Sequence, residues 1–103
     1  MSGFVYIMTN KLNSVLYTGS TSDIVARVKQ HKEKYFPNSF TAKYNINKLV
    51  YLEFFETREE AYIREHQIKR RNRIHKIKLI ELKNPMYRDL INEILQDGFD
   101  KFT

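Results

Sequence analysis

The sequence predicts an α+β fold: a small three-stranded antiparallel sheet flanked by helices, in the order ββα, β, then two or three helices. Three observations predict it. Two short β-branched and aromatic stretches stand close together near the N-terminus, with a turn-like segment between them. A nearly continuous apolar run, Leu49-Val50-Tyr51-Leu52, lies mid-chain. Segments of helical period, with their own start and stop signals, follow these strands.

Residues 4–9 are β-branched and aromatic and read as the first strand. Asn10-Lys11-Leu12-Asn13-Ser14 is turn-like, and residues 15–18 read as a second strand, so the pair makes an antiparallel hairpin with a longer loop. Gly19 follows, where the chain can turn sharply. Ser22-Asp23 is a helix start. Ile24, Arg27, Val28 and His31 then fall at i, i+3, i+4 and i+7, one helical stripe. That stripe turns Arg27 and His31 toward the side of its apolar contacts. Residues 35–47 carry Pro37 and three asparagines and read as an irregular loop. Residues 48–56 read as the third strand, apolar enough to be a central one covered on both faces. Thr57 and Glu60 form a Ser/Thr-x-x-Glu capping box that opens a helix in which Ala61, Glu65 and Ile68 share a face. After the basic run Lys69-Arg70-Arg71-Asn72-Arg73, residues 74–82 read as a helix broken by Asn84-Pro85. Residues 87–96 read as a last helix, with Leu90, Ile91, Ile94 and Leu95 on one side and Gly98 at its end.

The chain has 103 residues, enough for one domain with a modest core. With 42% hydrophobic residues it can bury that core and is not disordered. Cysteine is absent, which excludes disulfides and thiolate metal sites and fits a reducing cytoplasm. No apolar run is long enough to cross a bilayer, and no signal peptide is recognisable at the N-terminus. The net charge of +6 and pI near 9.6 favour polyanions such as DNA or RNA.

Several side chains carry chemical potential. A buried carboxylate is costly unless paired or bound to a cation. Glu65 therefore has two readings: an ion pair with Arg27, or a ligand to a divalent metal that substrate phosphate and water complete. Arg27 can fork onto phosphate oxygens and stabilise developing negative charge. His31 can take or give a proton near neutral pH. Tyr6 and Tyr17, taken alone, read as core residues, because strand tyrosines usually pack. Lys69, Arg70, Arg71 and Arg73 have the charge to track phosphates. Lys43 and Tyr44 set a cation beside a stacking ring.

The ordered set Phe4-Val5-Tyr6, Tyr17-Thr18-Gly19, Arg27 and Glu65 resembles the GIY-YIG nuclease superfamily. It is similar to the small free-standing bacterial members and to the N-terminal nuclease domain of the excision-repair endonucleases. The resemblance spans about the first eighty residues, placing a nuclease-like domain at 1–84 and a packed C-terminal helix at 85–103. Phe4 stands where the family has its first glycine, Thr18 where it has isoleucine, and Ser20 where some relatives have lysine. The resemblance implies that Tyr6 and Tyr17 line a catalytic site, that Arg27 is catalytic and that His31 assists the nucleophile. It implies that Glu65 holds one Mg2+ or Mn2+ ion, and that a late asparagine, Asn72 or Asn84, joins the site. The implied activity is metal-dependent hydrolysis of phosphodiester bonds in DNA, in repair or recombination, with RNA still open as a substrate. The alternative is a non-catalytic nucleic-acid-binding module on the same fold. Larger relatives carry targeting domains, so a protein partner supplying specificity is a further expectation.

Overall fold

The computed structural model describes residues 1–102. Strands β1 (Gly3–Thr9), β2 (Leu16–Thr21) and β3 (Lys48–Phe55) form one antiparallel sheet in the order β2-β1-β3. Helices α1 (Ile24–Lys32), α2 (Phe40–Lys43), α3 (Arg58–Lys69), α4 (Arg73–Lys83) and α5 (Ile91–Asp97) surround it, and a 3-10 turn follows at Asp100–Phe102. The fold is α+β with a three-stranded antiparallel sheet, as the sequence predicts.

The sheet is covered on both faces. Phe4, Tyr6, Met8, Leu49 and Leu52 pack on one face against Ile24 and Val28 of α1 and Ile91 and Ile94 of α5. Val5, Ile7, Val50 and Tyr51 pack on the other against Ala61 and Ile68 of α3 and Ile80 of α4. β1 therefore alternates between two cores and is buried at every position.

Four local expectations change. β3 is apolar on both faces but is an edge strand; the central strand is β1. The two-faced burial of β3 comes from helices above and below it, together with a bulge. Ile7 pairs with Tyr51 and Met8 with Leu49, so Val50 is the extra residue, and both Val50 and Tyr51 face the second core. Gly19 does not turn the chain: it lies inside β2, which runs on to Thr21. Residues 35–47 are not wholly irregular. Ser39 accepts a hydrogen bond from the Ala42 amide and caps the single-turn α2. The last helix starts at Ile91 rather than 87, because Tyr87 adopts a left-handed backbone with φ of 53°. Leu95 consequently points to solvent while Leu90, Ile91 and Ile94 are buried.

The other starts and stops follow their local chemistry. Asp23 caps α1 by accepting from the Ala26 amide. Thr57 caps α3 by accepting from the Glu60 amide, and its hydroxyl donates to the Glu60 carboxylate at 3.0 Å. In the hairpin loop, Asn10 Oδ1 accepts from the amides of Ser14 and Val15, tying the turn together.

Candidate functional site

Tyr6 is fully buried on central strand β1, directly across from Gly19 on β2. A Cβ at position 19 would lie 2.5 Å from the Tyr6 hydroxyl oxygen and 2.6 Å from Cζ. The ring thus lies across the glycine, and its hydroxyl reaches toward the β2 edge. Only a residue without a side chain leaves that path open, which is why glycine stands inside a strand here.

Tyr17, Arg27 and His31 line one cavity of about 240 Å³ beside that hydroxyl. The rings of Tyr6, Tyr17 and His31 lie 5.6–6.3 Å apart, centroid to centroid. His31 Nε2 is 3.3 Å from the Tyr6 hydroxyl, and its Nδ1 is 3.1 Å from Thr41 Oγ1 on α2. Thr41 in turn lies 3.2 Å from Ser39 Oγ. The amphipathic stripe of α1 explains the placement: Ile24 and Val28 anchor in the core, and Arg27 and His31 ride half-buried beside them.

Protonation states follow from this geometry. Burial, aided by the neighbouring Tyr17, pushes the Tyr6 phenol well above its ordinary value, although the Arg27 charge and hydrogen bond pull the other way. Burial also lowers His31 below its ordinary 6.5, and the Arg27 cation adds to the effect. At neutral pH Tyr6 is a phenol and His31 a neutral imidazole. With the Tyr6 proton donated to Nε2, the Nδ1 proton is left for Thr41.

Glu65 reaches the same region from the other side of the sheet. It is 8% exposed, on the buried face of α3. Its carboxylate accepts the Ser20 hydroxyl and pairs with Lys69 one turn along the helix. Burial penalises its charge, yet Lys69 and Ser20 outweigh this and hold the carboxyl below its ordinary value, so it is ionised. Its charge also acts on Tyr6, which places the carboxylate in the same electrostatic neighbourhood. Arg27 is not its ion-pair partner; Lys69 is. A hard divalent cation fits this donor set. Among the described residues no three His, Cys, Asp or Glu converge, so no all-protein cage forms. One carboxylate with an adjacent hydroxyl is instead the sparse arrangement that suits Mg2+, which keeps water and substrate phosphate as its remaining ligands, and the ion would take the place that the Lys69 ammonium holds on Glu65.

Residues 2–78 match a family model described as the GIY-YIG catalytic domain. The chain belongs to the GIY-YIG family. It is 42% identical to a UPF0213 protein of Clostridium perfringens over 85 residues, covering 79% of this chain and 85% of that one. A UPF0213 protein of Staphylococcus haemolyticus is 40% identical over 82 residues, covering 76% and 93% respectively. The solution NMR structure of a UPF0213 protein from Bacillus halodurans superposes with a TM-score of 0.54 at 32% identity, covering 86% of this chain and 93% of that chain.

The departures from the GIY-YIG pattern fall mainly where they pack. Phe4 stacks against Phe54 and Phe99 at 5.5 and 5.1 Å, and Thr18 is buried opposite Ile7. Ser20 is different, because it touches Glu65. The two late asparagines are not with the cluster. Asn72 is exposed and caps α4 by accepting from the His75 amide. Asn84 is buried beside β3, where Nδ2 donates to the Val50 and Arg88 carbonyls and Oδ1 accepts from the Arg88 amide. Both are committed to backbone. Of the basic residues, Lys69 is engaged with Glu65, and Arg73 donates to the Asn13 carbonyl at 3.4 Å. Arg70 and Arg71 are exposed at the α3–α4 corner, with Asn72, His75 and Lys78 beside them. Lys43 is exposed at the end of α2.

Three residues beyond the sequence candidates belong to the site. Gly19 has the sequence signature of a turn and serves instead as a clearance for Tyr6. Ser20 shows in the sequence only as a difference from some relatives, and its hydroxyl holds Glu65. Thr41 gives no sequence signal, since its contact with His31 spans ten residues of loop.

Proposed function

We propose that this chain is a metal-assisted endonuclease that hydrolyses phosphodiester bonds in DNA. The convergence of Tyr17, Arg27 and His31 on one cavity, with the Tyr6 hydroxyl 3.3 Å behind His31 and the buried Glu65 carboxylate nearby, carries this reading. Glu65 with Ser20 would hold a divalent ion, Mg2+ or Mn2+, which supplies Lewis-acid polarisation of the phosphate when bound. Arg27 binds the phosphate and stabilises the negative charge that grows on its oxygens. A raised Tyr6 pKa leaves almost no phenolate at neutral pH to act as the base. The Tyr6–His31 contact offers a route around that: the attacking water gives its proton to the Tyr6 oxygen as the Tyr6 proton passes to His31 Nε2. Tyr6 then stays neutral throughout, and His31 carries the charge with Nδ1–H held on Thr41. The exposed arginines at the α3–α4 corner, together with Lys43, bind flanking phosphates.

The absence of cysteine suits work in a reducing cytoplasm, and processing of DNA in repair or recombination is the setting this chemistry fits. No helix of the described residues is long and apolar enough to cross a membrane.

The test is cleavage of labelled duplex, flapped and single-stranded DNA with Mg2+ or Mn2+. Arg27→Ala is expected to lose about 10²- to 10³-fold in rate, and Glu65→Ala to fall to background, while both keep the wild-type circular dichroism spectrum. Full activity in both variants refutes the mechanism. Binding without cutting by the wild type, under every metal, turns the reading toward a binding module.

A further inference from the structure

The segment between α1 and β3 carries rings that the cleavage chemistry leaves unused. Tyr35, Phe36, Phe40 and Tyr44 are 64, 60, 48 and 50% exposed, and they are four of the five exposed aromatic side chains among the described residues. Rings gathered at a surface forgo the burial that normally retains them, which marks a contact site. Their arrangement has a direction. Tyr44 lies 4.7 Å from Phe40, Phe40 6.4 Å from Tyr17, and Tyr17 5.6 Å from His31, centroid to centroid. This ladder leads from solvent into the Tyr6–His31 cluster. The cavity of about 240 Å³ opens along it, walled by Phe36, Phe40 and Tyr17, with Arg27 and Lys34 supplying positive charge. It is smaller than the roughly 300–1,000 Å³ of sites for drug-sized ligands, and its flat aromatic walls suit one planar ring system.

We propose that the aromatic end of this cavity takes one unpaired nucleobase, stacked on Phe36 and Phe40, with the adjoining scissile phosphate at its Arg27 and His31 end, and that the preferred substrate is DNA presented as a single strand. The inference rests on the nuclease reading above. Bases within a duplex are stacked on one another and cannot enter a side pocket without being extruded, which carries an unstacking cost that a single strand avoids. Aromatic platforms beside cations are the general means of holding single-stranded nucleic acid, because every base has a π-face. Arg27 and Lys34 at the rim complement the phosphates on either side of the inserted base.

The test measures binding of the full chain by fluorescence anisotropy in EDTA, so that nothing is cut. The probes are a short labelled single strand, the matching duplex, a duplex with one mismatch, and single strands with one abasic nucleotide at successive positions. The single strand is expected to bind more tightly than the duplex. Phe40→Ala should weaken single-strand binding by roughly 5- to 100-fold, and Phe40→Tyr, which keeps a ring, should largely restore it. At one strand position, an abasic nucleotide should weaken the wild type but leave Phe40→Ala unaffected. Phe36→Ala should repeat the pattern should Phe40→Ala fold poorly. A mismatched duplex bound more tightly than the matched one supports the same pocket, filled by extrusion. An RNA strand showing the same Phe40 dependence also supports it, since the base face is what is read. Equal affinity for strand and duplex, with Phe40→Ala and Phe36→Ala unchanged, overturns the pocket. If the wild type still cuts DNA and Glu65→Ala does not, that result leaves the nuclease reading standing. Stacking-dependent binding by a protein that cuts nothing does the reverse.

Discussion

Burial holds Tyr6 as a phenol and, with the Arg27 cation, holds His31 beside it as a neutral imidazole, and the consequence is a specific pH dependence. In the proposed mechanism neutral His31 is the proton acceptor, so activity would need it unprotonated. Its pKa is lowered by burial and by Arg27, with Tyr6, Tyr17 and Thr41 as its other close neighbours and no carboxylate among them to raise it again. The acid limb of kcat/KM should therefore lie below pH 6.5, and His31→Gln should abolish that limb along with most of the rate, about 10²- to 10⁴-fold. Stability moves with the same sign. As pH falls through 6.5 the unfolded chain takes up a proton that the folded chain still refuses, so the fold loses stability across that window. Cleavage profiles of the two proteins decide the matter; an acid limb that survives in His31→Gln assigns it to another group. None of this coupling is visible in the sequence. The α1 stripe puts Arg27 and His31 on one side, but the Tyr6–His31 contact joins residues 25 apart, and the Gly19 clearance depends on a cross-strand pairing.

Elements with a clear period or cap are legible from sequence: β1, the hairpin, α1, α3 and α4 begin and end close to their local signals. What escapes are features fixed by distant partners. The two-faced burial of β3 imitates a central strand because α1 and α5 cover one face and α3 and α4 the other. The four-residue α2 is too short to show a period, yet it carries the Thr41 that holds His31. Asn84 is a site candidate by sequence and a structural residue in the fold, binding the carbonyl of the bulge residue Val50 and the backbone of Arg88. Its role is testable at the level of the element. Asn84→Ala leaves a buried carbonyl on β3 without its donor, which costs about 1–3 kcal/mol, and each kcal/mol lowers the melting temperature of a domain this size by about 4–8 °C. Cleavage per folded molecule should be unchanged, because the side chain lies away from the Tyr6 cluster. A normal melting temperature with reduced turnover would move Asn84 back into the site.

The whole molecule is about 32 × 28 × 25 Å and carries a net charge of +6, so it can engage only a short stretch of nucleic acid at a time. The charge is not spread uniformly. Arg70 and Arg71 stand exposed where α3 gives way to α4, and Arg73 begins α4 beside the β1–β2 loop. Lys69, the first member of the same basic run, faces the other way and neutralises Glu65. One continuous basic stretch is thus divided by helical geometry into a residue beside Glu65 and an exposed basic corner. The two parts should respond differently to salt. Each corner arginine that touches a phosphate contributes about 0.9 to the slope of log affinity against log salt on duplex DNA, and about 0.7 on a single strand. Replacing Arg70, Arg71 and Arg73 together by alanine should flatten that slope by about two to three units while the single-turnover rate at saturating DNA holds. Lys69→Ala should instead leave the slope nearly intact and change the single-turnover rate, because it removes the cation that Glu65 is built around. Binding isotherms from low to moderate salt, paired with single-turnover cleavage, separate these outcomes. An unchanged slope in the triple variant would mean that the DNA passes on another face of the protein, along α1 and the aromatic segment alone.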